Sequence, residues 1–121
     1  MNKLEPNMYV RTLFGIKKID HIDNKKTVWK YLYKINDDNE FYALSDNDVI
    51  KASYNIIDLI EEGDYVNGIM VNGKINDKVQ VAYICHNEEL NYHMFLTFDI
   101  EDIRTIVTKE QFSNMEYRLG E

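Results

Sequence analysis

One cysteine, one proline and five glycines are all that this 121-residue chain has of the residues that cross-link, break or loosen a backbone. A lone Cys85 closes no internal disulfide and makes no zinc site by itself, which fits a reducing compartment. With Pro6 as the sole proline and no Ser/Gly-rich tract, there is no flexible linker, so any subdivision must be compact. The longest apolar stretches, 55–60 and 79–85, fall far short of the ~20 residues that cross a bilayer, and MNKLEPNMYV lacks a signal peptide's apolar core. A cytoplasmic protein with no membrane partner is expected. The chain also has no GxxxxGK[ST], no GxGxxG after a strand, no HExxH and no G-x-S-x-G. No catalytic residue, metal site or cofactor is therefore assigned, and the expectation is a protein that is not an enzyme.

What is present is an ordinary globular composition, 45% hydrophobic and 29% charged, with nine Tyr, five Phe and one Trp to fill a core. The length suits one compact domain or two very small ones. The net charge of −7 is unevenly spread. Residues 1–35 carry eight basic against three acidic groups, and residues 36–121 carry six against eighteen. Such asymmetry points to a charged partner or to pairing within the fold.

Along the chain, residues 1–7 read as a flexible arm. From Met8 the pattern is that of short strands: MYVRTLF, IKKIDHI, then TVWKYLYKI, in which Trp29, Tyr31, Tyr33 and Ile35 alternate with Lys30 and Lys34. EFYAL is a further strand. SDNDVIKA reads as a helical turn capped by Ser45 or Asp46, and Ser53 as the cap of a short helix with Ile56, Ile57 and Ile60 inward. The second half repeats this grammar with YVNGIMV, a hairpin turn expected at Asn72-Gly73, KVQVAYIC, the polar loop HNEELNY, MFLTF, Asp99 or Glu101 ahead of DIRTIV, a capping box at Thr108-x-x-Gln111 and YRL as a closing strand. Tyr9-Val10 matches Tyr65-Val66, Asp48 to Lys51 matches Asp102 to Thr105, and Ser53 with Ile57 matches Thr108 with Phe112. These near-constant offsets indicate an internal duplication, with units 8–62 and 63–121 packed as one body. The joint between them, Glu61-Glu62-Gly63-Asp64, reads as turn chemistry: Gly63 supplies a positive φ and Asp64 satisfies turn amides. It does not match a calcium loop.

Val10, Phe14-Gly15-Ile16 and Ile19, with YLYKI and FYAL after them, resemble the opening of Tudor-like and other SH3-like small barrels, although Lys17 stands where such hairpins often have glycine. The resemblance covers about 45 residues and implies an SH3-like or Tudor-like first unit; with the duplication, the expected fold is mainly β (β-rich α+β), two tandem SH3-like or Tudor-like small β units, each ending in short capped helical turns. VIKAS, NIIDLIEEGDYVNG and IVTKEQFSNMEYRL are similar to small acidic proteins of phages and prophages of low-GC Gram-positive bacteria. That likeness implies a mobile-element setting in a host cytoplasm and no activity.

Cys85, His86 and His93 lie close in sequence, but Cys85 ends an apolar strand, where a buried thiol is the ordinary outcome. Two surfaces remain as candidates. The acidic one comprises Asp37, Asp38, Glu40, Asp46 and Asp48 in one half and Glu88, Glu89, Asp99, Glu101 and Asp102 in the other. Spaced carboxylates of this kind fit the basic groove of a nucleic-acid-binding effector. An anti-defence, anti-CRISPR-like inhibitor of a host protein is the most concrete version. The alternative is a small-ligand protein that binds or sequesters a nucleotide, stacking a base on Tyr31, Tyr33 or Tyr92 and holding phosphates with Lys30 and Lys34. A structural or regulatory interaction module is a third reading. Direct nucleic-acid binding is disfavoured by the excess of acidic groups.

Overall fold

Strands form where the alternating apolar residues of the sequence find a backbone partner. The computed structural model describes residues 3–34, 40–86 and 91–115. The chain divides between Leu59 and Ile60 into two units, Met1–Leu59 and Ile60–Glu121, where the sequence pattern placed the joint after Glu62.

In the first unit β1 (Tyr9–Thr12) and β2 (Gly15–Lys18) form a hairpin through Leu13-Phe14. The Thr12 hydroxyl accepts the Phe14 N–H at 3.0 Å and donates to the Gly15 carbonyl at 2.8 Å. Past Lys18 the chain bends. The Ile19 N–H reaches back to the Met8 carbonyl, while the next N–H, of Asp20, crosses to Leu32. One stretch thus leaves the first sheet and enters the second as β3 (His21–Ile22), followed by β4 (Tyr31–Lys34) and β5 (Phe41–Leu44). A 3-10 turn at Asp46–Asp48 then delivers β6 (Lys51–Ser53), which pairs with β1 and closes the unit. The core joins Leu4, Met8, Val10, Ile19, Tyr31 and Leu44.

The second unit repeats the plan. β7 (Tyr65–Val66) turns into β8 (Ile69–Ile75), which pairs first with β7 and then with β9 (Lys78–His86). β10 (Asn91–Phe98), a 3-10 turn at Ile100–Asp102 and β11 (Ile106–Val107) follow. β11 closes on β7, and α1 (Lys109–Met115) ends the described chain. A hairpin whose second strand bends into a second sheet, then a meander, a 3-10 turn and a strand closing on the first, is the topology of an SH3-like small barrel. The fold is mainly β, in two tandem SH3-like units, each with a short helical element at its end.

Several expectations are corrected by the pairings. The segment read as an arm contains Leu4, only 5% exposed and part of the core. Trp29 lies outside β4 and is 57% exposed: β3 ends at Ile22 opposite Tyr31, and the backbone bond beyond it, from the Asp23 N–H to the Lys30 carbonyl, stops one residue short of Trp29. Asn72-Gly73 is the bend of β8, where its register against β9 shifts. The hairpin turns are instead Asn67-Gly68 (φ 53° and 81°) and Asn76-Asp77 (φ 48° and 54°), the positive-φ pairs that match strand twist. Ser53 belongs to β6, and Asn55 accepts the Ile57 N–H at the start of the 3-10 helix Ile56–Leu59. The closing strand β6 overlaps the segment read as a helical turn, and β11 falls in DIRTIV, to which the sequence pattern assigned no strand. Ile35 and the YRL segment lie outside the described residues.

The Asn67 side chain binds the Asp102 carbonyl at 2.8 Å and the N–H groups of Arg104 and Thr105 at 2.7 and 3.2 Å, fastening the β7–β8 turn to the approach of the closing strand. Asn67→Ala is expected to cost about 1–3 kcal/mol of unfolding free energy in urea titrations, against about 0.5 kcal/mol or less for Asn72→Ala on the exposed bend. Equal costs would contradict this assignment of the turn.

Candidate functional site

The acidic turn at 61–64 has a counterpart in the first unit. Glu5-Pro6-Asn7-Met8 and Glu61-Glu62-Gly63-Asp64 make the same set of bonds. Asn7 (φ 73°) and Gly63 (φ 96°) both take a left-handed conformation. The N–H groups of Asn7 and Gly63 donate to Ile19 and Val71, whose own N–H groups donate back to Met8 and Asp64. The side chain of the fourth residue accepts the first residue's N–H: Met8 Sδ from Glu5 at 3.3 Å, Asp64 Oδ2 from Glu61 at 2.7 Å. Each leading glutamate also holds the opening of the terminal helical segment, Glu5 through the Tyr54 hydroxyl and Glu61 through Lys109 Nζ at 3.0 Å. Asp64 is fully buried, and its Oδ1 accepts the Lys109 N–H at 3.0 Å. These carboxylates are structural.

The same holds for much of the expected acidic surface. Asp48 accepts the Ser45 N–H at 2.8 Å and its hydroxyl at 3.1 Å, and Asp102 accepts the Asp99 N–H at 3.2 Å, so both fix the entry of their 3-10 turns. Asp99 pairs with Lys78 at 3.4 Å. Asp46 accepts the Tyr31 hydroxyl and faces Lys30 at 3.6 Å, and that hydrogen bond and then the lysine hold its carboxyl below the usual range against partial desolvation. Glu40 and Glu101 are exposed. Asp37, Asp38, Glu88 and Glu89 lie outside the described residues, as do the side chains of Cys85, His86, Tyr92 and His93. Among the described residues no three His, Cys, Asp or Glu side chains converge as metal ligands.

The basic and aromatic residues of the first unit are brought together more closely than their spacing implied. Lys17 lies 5.4 Å from the Tyr33 ring, Lys18 5.8 Å from Tyr9, Lys30 5.3 Å from Tyr31 and Lys34 5.3 Å from Phe41. Pairing of β4 with β5 sets Tyr33 opposite Tyr42, and their rings stack at 5.9 Å. On the other face of the same strands Phe41 meets the edge of His21 at 5.0 Å. Tyr31 cannot stack a base: it is 6% exposed within the core. Beside it a cleft of about 270 Å³ opens between Lys3, Asn24, Lys30 and Asp46. A second cleft, about 210 Å³, lies between the Leu13-Phe14 turn and Asn47, Asp48 and Ile50. Phe14 and Ile50, 64% and 51% exposed, were not among the site residues expected from the sequence, where Phe14 belongs to the first hairpin and Ile50 to a helical turn.

No family model, curated protein or solved structure matches the chain. Among the described residues no helix is long and apolar enough to cross a membrane.

Burial, then the hydrogen bond to Asp46 and its charge, push the Tyr31 hydroxyl up from 10.0 to about 12. A proton held more tightly in the folded state contributes stability that is complete below pH 10 and is lost as pH rises toward 12. Ultraviolet titration is expected to find a tyrosine ionising near that upper value, and Asp46→Ala to bring it part of the way back, since burial is the larger cause. A titration unaffected by Asp46→Ala would contradict the pairing.

Proposed function

We propose that this chain is a non-enzymatic accessory protein that binds a host macromolecule, its second unit presenting negative charge to a basic protein surface. One observation carries the reading: the division of the chain also divides its charge. Residues 1–59 hold nine basic and nine acidic side chains, and residues 60–121 hold five and twelve. The whole net charge of −7 therefore belongs to one small unit, and a field of one sign steers an oppositely charged partner. The finer version is an anti-defence inhibitor whose carboxylates occupy a nucleic-acid groove. The resemblance of the sequence to small phage proteins supports it, and the nucleic-acid-binding effector is the partner it implies.

Capture of host-cell proteins on the purified chain, eluted by rising salt, is expected to release a basic, nucleic-acid-binding protein. The variants for the follow-up avoid carboxylates that hold the fold. Glu62→Lys and Glu101→Lys, with Asp77→Asn to keep the turn, are expected to weaken that complex by about three- to tenfold and to flatten its salt dependence. An unchanged affinity and salt slope would sink the acidic reading.

A second reading, a nucleotide-binding or sequestering protein, is favoured by the stacked Tyr33–Tyr42 pair beneath Lys17. A nucleotide at a hundred times its Kd raises stability by ~2.7 kcal/mol. A panel of nucleotides giving no thermal shift would end it.

A further inference from the structure

The β9–β10 hairpin of the second unit is longer than the sheet that carries it. β9 and β10 pair from Val79–Phe98 out to His86–Asn91, yet β8 supports β9 only as far as Val81. In the first unit the equivalent β4–β5 ladder has four pairs, from Tyr31–Leu44 to Lys34–Phe41. Beyond Val81 the second unit's hairpin is a two-stranded ribbon, an arrangement of marginal stability in water without a further partner.

β10 ends the strand order of its sheet, and among the described residues no strand pairs with its outer edge. Its eight residues, NYHMFLTF, contain no Lys, Arg, Asp, Glu or Pro, the residue types with which natural edge strands discourage pairing. Phe95 and Leu96 are 56% and 37% exposed. Neighbours in a strand point to opposite faces, so one face is open at Phe95 and the other partly open at Leu96.

We propose that the outer edge of β10 pairs antiparallel with β10 of a second copy of this chain, forming a two-fold dimer with a continuous sheet. A second copy is the occupant that meets this edge on equal terms. The edge is uncharged although the rest of its unit is strongly acidic, so it offers nothing to a charged partner, and a two-fold axis sets the same neutral, apolar strand against itself. Because each copy carries the acidic unit, screening by salt strengthens this association, whereas it weakens the basic-partner complex proposed above. The two readings therefore fail separately.

Sedimentation of the full chain across micromolar concentrations is expected to show a mass double that of one chain, with the dimer tighter at high salt. Phe95→Lys with Thr97→Lys is expected to leave a monomer that keeps its β-sheet circular dichroism. Met70→Lys, an equally exposed apolar residue away from the edge, should leave the dimer intact. Hydrogen exchange should show outward-facing β10 amides protected in the dimer and fast in the Phe95→Lys/Thr97→Lys monomer. A wild-type chain that stays monomeric throughout, or a dimer that survives both edge lysines with β10 exchange unchanged, overturns the proposal.

Discussion

Two backbone bonds at an elbow set the form of each unit. Asn7 and Met8 clasp Ile19, and Gly63 and Asp64 clasp Val71, at the position where a strand leaves one sheet to join the next. A bent strand in a small barrel loses ladder partners at its corner, and buried amides left without acceptors are costly. The entry turn supplies those acceptors, and its left-handed residue aims them. Ile19 and Val71 can then sit fully or almost fully buried behind the corner, as do Val10 and Val66 of the first strands. The closing strands β6 and β11 follow, since they can pair only with a first strand already held in place.

Seen this way, acidity in this chain has two separate roles. Asp48, Asp64 and Asp102 turn their carboxylates onto backbone N–H groups, and Glu5 and Glu61 fasten the terminal helical segments. Others, with Glu40, Glu62 and Glu101 among them, face water. Basic residues divide likewise. Arg11 is fully buried with its guanidinium on the Leu59 carbonyl at 2.8 Å, and Lys51, its ladder neighbour across β6, reaches the Asp58 carbonyl at 2.9 Å. Both cations sit at the C-terminal end of a 3-10 helix, where carbonyls lack partners. Counting charges along the sequence cannot separate these roles, because it carries no information about which ends turn inward.

The longer strands were legible: β1, β4 and β5 fall within the expected runs, β2 and β9 overrun theirs by one residue, and β10 starts at Asn91, three residues ahead of MFLTF in what reads as a polar loop; the capping box of Thr108 and Gln111 forms, with the Gln111 carbonyl oxygen accepting the Thr108 N–H at 2.8 Å. The closing strands were not, for two or three residues carry no period and their partners lie some forty residues away. Of two Asn-Gly pairs the sequence pattern favoured the one at 72–73, although only the pair at 67–68 has the strand ends to join. The match of Leu4-Glu5-Pro6-Asn7-Met8 to Ile60-Glu61-Glu62-Gly63-Asp64 was hidden because the same turn is built once around sulfur and once around a carboxylate. Tyr31 and Tyr33 share a face of one strand, but one is sealed in the core and the other reaches its rim, a difference set by strand ends rather than by alternation.

The closing strands also give the chain an order of assembly. Tyr9 waits for Ser53 and Arg11 for the Leu59 carbonyl, and every ladder of the first unit is complete within its own 59 residues. During synthesis that unit has all its partners before Tyr65 emerges, and domains generally fold as units from the N-terminus. Tyr65 must then wait for Val107, almost the full length of its unit. Through that interval the acidic unit is an unclosed sheet tethered to a finished one, and the edge of β7 that β11 will cover stays open until Val107 arrives.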